Sequence, residues 1–494
     1  MSERGSIHHL KATDFSELYP SALTNVELRG ALAFGTKLVS NRRDNTVAAV
    51  DDWQDLRDRA SSIKTDVLSN LDQYLQVFEQ QAQASGTHVH WASTPAEACS
   101  IITGLAEAQG AKLAVKSKSM VSEEIGLNQA LEESGVRPVE TDLGEWIVQI
   151  AGETPSHIVA PALHRSREDV RELFARVLGR PMPEDAEGLT EVARLELRQA
   201  FADADIGISG ANFLVAETGS FLILENEGNI RMTTSLPRMH IALVGIEKVL
   251  PRLSDLDVFL RVIGRSGTGQ RLTSYQTLVT GPRRTSDDDG PDEVHVVLLD
   301  NGRSSLLAEE VTSQTLGCIR CGACLNTCPV YRQIGGHAYG SVYPGPIGSI
   351  LTPQLAGLHQ ASQLPFASSL CGACRDVCPV KIDIPEVLLH LRAKSVADGP
   401  RVRDAVTHQK IRRQVGGFKM WSWAMRSPRR YRMAGRVARV MAWMATRLPF
   451  IGRCSGPLRG WTKGRVLPTP PRRSFRAQMA RRKQSGTPGG GASS

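Results

Sequence analysis

Apolar residues recur along this chain with two periods, and the change between them marks its parts. Val67, Leu68, Leu71, Tyr74, Leu75 and Phe78 fall at helical spacing, which predicts an amphipathic helix over residues 66–84. Short apolar runs then alternate with helical segments. Strands are predicted at 88–92, 113–116 and 136–141, helices at 95–109 and 122–134. Residues 157–161 continue the strand pattern, followed by helices at 167–178 and 191–204. Such alternation predicts a three-layer α/β domain around a largely parallel sheet. From residue 206 the text turns to paired strands, 206–216 and 221–225, around the turn Glu217-Thr218-Gly219-Ser220, where Gly219 can take a positive φ. Residues 241–245 and 294–299 are further buried-strand candidates, separated by a solvated loop at 285–291. The turn Asp300-Asn301-Gly302 precedes a domain end near Glu310. Ahead of this pattern, residues 1–60 read as an irregular lead-in with a polar helix around 51–62. After it, the helix-compatible stretches 350–358 and 384–393 predict a mostly helical segment.

At 494 residues with 41% apolar side chains, the chain can hold about three domains of roughly 150 residues, each with a core. No run approaches the ~18 consecutive apolar residues of a membrane span. The opening Met1-Ser-Glu-Arg-Gly-Ser-Ile-His-His-Leu10 lacks the apolar segment of a secretory signal, so a cytoplasmic protein is expected. The net charge of +8 hides an asymmetry. Between Arg401 and Ser494 lie 23 Lys and Arg but one acid, Asp404, which makes this end +22 and leaves the first 400 residues at −14. Arginines there interleave with Trp421, Trp423, Met425, Tyr431, Met433, Val437, Val440, Met441, Trp443 and Met444. Trp and Met suit an anionic membrane surface or a partner helix better than nucleic acid. Peripheral attachment at the inner face of the membrane is therefore expected, and no nucleic-acid partner. Residues 468–471 and 486–494 read as linker and disordered end.

Seven of the nine cysteines lie in two runs. The first, Cys318-Ile-Arg-Cys321-Gly-Ala-Cys324-Leu-Asn-Thr-Cys328-Pro329, has the spacing that wraps three thiolates around one iron–sulfur cubane and sends the fourth to another cluster. The second, Cys371-Gly-Ala-Cys374-Arg-Asp-Val-Cys378-Pro379, is one cysteine short, and the vacant position falls at Ser368. Disulfides would need an oxidising compartment. Structural zinc uses sets of four thiolates with no trailing Cys-Pro, so iron–sulfur is the stronger reading. If the last cysteine of each run crosses over, Cys318, Cys321, Cys324 and Cys378 complete one [4Fe-4S] cluster. Cys328, Cys371 and Cys374 then hold a second, either [4Fe-4S] with a non-cysteine ligand or [3Fe-4S]. The Gly/Pro-rich connector between the runs carries His337, which could ligate that cluster or simply hydrogen-bond. Cys99 reads as a core residue of a helix, and Cys454 as an unliganded cysteine of the basic end.

Other segments could bind or act. Lys116-Ser-Lys-Ser-Met-Val-Ser-Glu-Glu124 follows a strand and opens a helix, a place for either an anion or a capped helix with solvated lysines. Thr141-Asp-Leu-Gly-Glu145 repeats the arrangement at the next strand end, where α/β sheets bind ligands. Glu217, Glu225 and Glu227 could supply a catalytic carboxylate or pair with Arg231 or Arg238. No G-x-G-x-x-G fingerprint follows a predicted strand, so hydride chemistry by this chain is not expected.

These segments, with Glu140-Thr-Asp-Leu-Gly-Glu145, Ile206-Gly-Ile-Ser-Gly210, Glu217-Thr-Gly219, Glu225-Asn-Glu-Gly-Asn229 and Leu272-Thr-Ser-Tyr275 in order before the cysteine runs, resemble the lactate utilization protein B (LutB) family. The resemblance spans about residues 20–480 and includes Trp461-Thr-Lys-Gly-Arg-Val-Leu-Pro-Thr-Pro470. It implies a lead-in over 1–60 and a lactate-utilisation (LUD) α/β domain over 61–310, with a fold like the CoA-transferase and sugar-phosphate-isomerase group. A two-cluster ferredoxin-type domain over 311–395 and a basic, partly disordered extension over 396–494 follow. It further implies electron transfer during oxidation of L-lactate to pyruvate, beside an A-type cysteine-rich protein and a C-type LUD protein. An electron-transfer subunit is thus expected rather than a catalyst acting alone. In the alternative, the LUD domain acts through Glu217 or Glu225 on an anionic acyl or sugar-phosphate substrate, with the clusters structural or regulatory.

Overall fold

Ten strands form two sheets: β1 (His88–Ala92), β2 (Leu113–Lys116), β3 (Arg137–Glu140), β4 (Ile206–Ser209), β5 (Phe213–Val215), β6 (Ser220–Glu225), β7 (Met239–Gly245), β8 (Val249–Leu250), β9 (Tyr275–Val279) and β10 (Glu293–Leu299). The structure, a computed structural model, describes residues 6–11, 15–287, 289–397, 405–447, 471 and 473–484. Six strands lie in the order β1-β10-β7-β4-β2-β3, every neighbour parallel. All of β2 and β7 is buried, as strands covered on both faces must be. Because side chains alternate along β7, Ile241 and Leu243 join Ile102 and Ala106 of helix Pro95–Ala108 in one core. Ala242 and Val244 join Leu75 and Phe78 of helix Leu71–Ala84 in another. This is the expected three-layer α/β arrangement. The smaller sheet runs β8-β5-β6-β9, with β5 and β6 antiparallel across the expected turn. Gly219 sits there at φ +64°, and a Cβ on it would lie 2.1 Å from the Ala82 nitrogen.

Three stretches differ from the sequence reading. Residues 1–60 contain the helices Phe15–Thr24 and Val26–Ala48 and the start of Trp53–Ser69. The long helix Val26–Ala48 buries only Leu32 and Thr36, so its apolar stripe is too thin to read as a period. Residues 157–161 are not a strand, because His157 Nδ1 accepts the amides of Val159 and Ala160 at 3.0 and 3.1 Å and curls the chain. The stretch 206–216 is two strands in different sheets, with Gly210, Ala211 and Asn212 between them.

One hydrophobic core carries the α/β domain into the cysteine-bearing segment. Leu32, Trp53 and Leu56 join Phe213, Leu222 and Phe259 on one side and Ile319, Leu325, Tyr331, Ile347 and Leu388 on the other. Packing rather than a linker therefore sets how the cysteines stand against the α/β domain. Residues 1–407 form one compact unit and 408–494 a second.

In the C-terminal region, helices Ala405–Met425, Pro428–Arg447 and Phe475–Gln484 are formed. On Pro428–Arg447, the exposed Met433, Val437, Val440, Met441 and Met444 fall at helical spacing. The Arg430 guanidinium lies 4.8 Å from the Trp423 ring centroid. Among the described residues no helix is long and apolar enough to cross a membrane. Cys454 and residues 486–494 lie outside the described residues.

Candidate iron–sulfur site and adjoining cavity

Both cysteine runs follow one local plan. Arg320 and Leu370, immediately before Cys321 and Cys371, take positive φ of 60° and 55°. Gly322 and Gly372, immediately after, take 76° and 86°. A left-handed non-glycine residue costs about 1–3 kcal/mol and persists only where its surroundings demand it. Each loop enters a short helix, Ala323–Thr327 or Ala373–Val377, and leaves it at Cys328 or Cys378 with φ of −72° or −65°. The Arg320 amide donates to Cys318 Sγ at 3.4 Å, and the Leu370 amide donates to Ser368 Oγ at 3.1 Å. Ser368 thus stands locally where the other run has its first thiol.

The runs bring their cysteines together in two groups. Burial raises the Cys321 and Cys324 thiols, and neighbouring thiolates add to it: Cys378 and Cys318 on Cys321, Cys318 and Cys321 on Cys324. Burial pushes Cys378 up to about 11, with Cys318 contributing. In the other group, burial pushes Cys374 up to about 12, with Cys328 and Cys371 contributing, and raises Cys328, with Cys371 contributing. Cys324 also feels Cys374, so the groups adjoin. For all of these buried thiols to ionise together, cations must come between them, as cluster iron would. Seven cysteines presented by two such loops are a donor set suited to iron–sulfur clusters. Backbone amides of Tyr331 and Ile382 donate to Cys328 and Cys378 Sγ at 3.5 and 3.4 Å.

Several side chains that hold these loops had no motif to announce them. Arg57 Nε and Nη2 donate to the Cys378 carbonyl at 3.0 and 2.8 Å. Ser40 Oγ and Arg332 Nε donate to the Asn326 carbonyl at 3.2 and 2.8 Å. A signal did exist: Arg57 and Lys64 fall on the apolar stripe of Trp53, Leu56 and Ala60, where cations need buried partners. His337 gives its Nε2 to the Thr154 carbonyl at 2.7 Å and packs its ring on His164. It is a hydrogen-bonding residue here. The Tyr339 hydroxyl is buried with no partner; burial raises its pKa and Cys328 adds to the effect. Cys99 is half-buried on helix Pro95–Ala108, as expected.

The strand-end motifs divide between structure and cavity. Lys116 is fully buried, 2.7 Å from Glu140 and 3.3 Å from Glu123, so it is neither a solvated lysine nor available to an anion. Arg303 is likewise buried between Glu124 (2.7 Å) and Glu247 (2.8 Å), and the Tyr343 hydroxyl donates to Glu124 at 2.6 Å. Against its burial, Arg303 and Arg320 hold Glu247 down to about 2. Glu217 accepts the Leu253 amide, and Glu225 accepts those of Ile230 and Arg231. Lys118, Asp142, Glu225 and Glu227 line a cavity of about 400 Å³ whose wall also includes Lys248, Arg320, Asn326 and Cys321. Gly267 and Gly322 permit this close approach. A Cβ on Gly267 would lie 2.8 Å from the Cys321 carbonyl oxygen, and one on Gly322 would lie 3.0 Å from Val159.

Burial lowers His157 and His240 to about 3, with Lys118 and His295 respectively adding to it. Unfolded histidine takes a proton below about pH 6.5, and these two refuse it when folded. Their stabilisation is complete above that pH and is lost as pH falls from 6.5 toward 3, by up to about 1.4 kcal/mol per unit for each residue. The melting temperature should drop between pH 6.5 and 5, less steeply in His240→Gln. An identical slope in the variant would mean that His240 is charged in the fold.

An α/β domain sharing its core with paired thiolate groups defines an iron–sulfur protein with a ligand-sized cavity beside its clusters. Family models match in series: the LUD domain over residues 75–299, a 4Fe-4S dicluster domain over 314–382, and the C-terminal region of lactate utilisation protein B over 390–484. The lactate utilization protein B of Oceanobacillus iheyensis is 42% identical across 95% of this chain and 96% of its own. That of Shouchella clausii is 41% identical across 96% and 98%. The uncharacterized electron transport protein YkgF of Escherichia coli K12 is 41% identical across 94% and 96%. This chain belongs to the lactate utilization protein B family.

Proposed function

We propose that this protein is an iron–sulfur electron-transfer component of a multi-subunit system that oxidises L-lactate to pyruvate. The observation that carries the reading is the pair of cysteine runs packed into one core and matched by a 4Fe-4S dicluster domain, in a chain whose relatives are named for lactate utilization and electron transport. Cys318, Cys321, Cys324 and Cys378 hold a [4Fe-4S] cluster, and Cys328, Cys371 and Cys374 hold a [4Fe-4S] or [3Fe-4S] cluster. When bound, these supply one-electron transfer. The chain's own residues bury Cys324, Cys328, Cys374 and Cys378, orient the loops through Arg57 and Arg332, and place cations around the first group. The partners are an A-type cysteine-rich protein and a C-type LUD protein. The catalytic alternative has less support, because backbone amides already engage Glu217 and Glu225. The purified protein should hold clusters yet stay oxidised with L-lactate, and bleach only when its partners are added. Bleaching of the isolated protein by L-lactate would defeat the carrier reading.

The C-terminal region is proposed to bring a cytoplasmic protein to an anionic membrane surface. The exposed apolar stripe of Pro428–Arg447, flanked by arginines, supports this. Each basic residue near acidic lipid contributes about 1 kcal/mol. Co-sedimentation of the full chain with anionic liposomes should fall steeply with salt and be lost on deleting residues 428–494. Equal binding to neutral vesicles, or none to anionic ones, would assign the stripe to a protein partner.

A further inference from the structure

The cavity between the α/β domain and the first cysteine run has an unbalanced wall. Its acids have hydrogen-bond partners: Asp142 accepts the Glu145 amide, Glu225 those of Ile230 and Arg231, and Glu227 that of Leu143. Its cations are less engaged. Lys248, only 6% exposed, makes no hydrogen bond or ion pair among the described residues. Arg320 reaches Glu247 with one nitrogen at 3.4 Å and stacks on Tyr343, while its Nη1 is buried with no partner. Asn326 Nδ2 and His157 Nε2 are also buried without partners in the same wall. Around this end, Lys64, Lys248, Arg303 and Arg320 face the two buried carboxylates Glu124 and Glu247, with Cys318 beside Lys64, Lys248 and Arg320. A four-thiolate cluster carries enough negative charge to offset that excess, but it leaves the Lys248 ammonium and Arg320 Nη1 without hydrogen-bond acceptors. It leaves unexplained an open volume of about 400 Å³, within the roughly 300–1,000 Å³ range of organic-ligand sites. The rest of the wall is largely apolar, with Val39, Leu163, Leu224 and Ile263.

We propose that this cavity binds an amphipathic organic carboxylate, its head on Lys248 and Arg320 beside Cys321 and its apolar body against Val39, Leu163 and Ile263. A hydrocarbon ligand would leave the Lys248 ammonium and Arg320 Nη1 without acceptors, whereas a carboxylate accepts charge-assisted hydrogen bonds from both. Lactate or pyruvate would use the cationic end only and leave the apolar end unfilled. The site therefore prefers a longer acid. Occupancy places a second negative charge beside the four-thiolate group and makes that cluster harder to reduce. The inference goes beyond the lactate-oxidation reading and does not depend on it, since binding requires no turnover.

Titration calorimetry of the cluster-loaded full chain with acetate, hexanoate and octanoate tests the idea. Affinity should rise about three- to fourfold per added buried methylene until the cavity is full. Lys248→Met should weaken every acid by at least tenfold. This variant removes a buried, unpaired charge, so folding should survive it. Val39→Trp should weaken octanoate and spare acetate. Octyl phosphate provides the arm that separates a carboxylate site from a phosphate site. In the same samples, octanoate should lower the midpoint potential of one cluster only, and Lys248→Met should abolish that shift. Equal binding of 1-octanol and octanoate, or binding indifferent to Lys248→Met, would overturn the proposal. Octanoate binding with no lactate-dependent reduction in the assembled system would sink the lactate reading and leave this one standing.

Discussion

Replacing Cys378 by alanine is expected to remove the same iron–sulfur signal that Cys318→Ala removes, together with roughly half of the bound iron. Cys328→Ala should remove the other. The two runs are 43 residues apart between Cys328 and Cys371, yet Cys378 feels Cys318, and Cys328 feels Cys371. Arg57 donates twice to the Cys378 carbonyl and so fixes the backbone at the end of the second run. Arg57→Leu should weaken the first cluster and leave the second, by on the order of 10–100-fold in iron retention, as loss of a supporting hydrogen-bond donor commonly does. Iron analysis with electron paramagnetic resonance reads each case. If Cys378→Ala and Cys374→Ala always abolish one common signal, the clusters load run by run and the crossed assignment is wrong.

Brief exposure to air should convert the three-thiolate cluster to a three-iron form while the four-thiolate cluster survives. Ser368 supplies an alcohol where the matching position supplies a thiol, and an alcohol gives up its proton far less readily than a thiol does. His337 is occupied by the Thr154 carbonyl and does not fill the gap. Cys371 is exposed, so oxidant reaches this group first. Because the Leu370 amide holds Ser368 Oγ much as the Arg320 amide holds Cys318 Sγ, Ser368→Cys should place sulfur within reach of the fourth iron. Loss of that iron should then slow by on the order of tenfold or more. A wild-type protein that keeps two equally stable four-iron clusters would identify another ligand, and the unpartnered Tyr339 hydroxyl is the first to test, as Tyr339→Phe.

Spacing along the chain was enough to recognise both cysteine runs, the vacancy at Ser368 and the alternating α/β pattern, because each rests on contacts between near neighbours. A thiolate loop is a local object, and a parallel strand buried on both faces is apolar along its whole length, as β7 is. The basic, Trp- and Met-bearing character of the C-terminal region was legible from composition, and its helices appear in the structure. Where long-range partners decide the structure, the pattern was silent or misleading. Lys116 read as a lysine beside a helix start, but Glu140, which neutralises it, comes from the neighbouring strand 24 residues later. Residues 157–161 had the composition of a strand, and two backbone amides donating to one histidine ring were enough to curl them. The helix Val26–Ala48 showed no stripe, since what it covers belongs to residues some 300 positions away, such as Asn326 and Ile334. Only the tertiary structure puts Cys321 in the wall of a cavity lined by strand ends of the α/β domain. That juxtaposition depends on Gly267 and Gly322 meeting surfaces far away in sequence. Local sequence sets periods, turns and ligand spacing, whereas the pairing of buried charges and the seam between domains arise only when distant segments share one core.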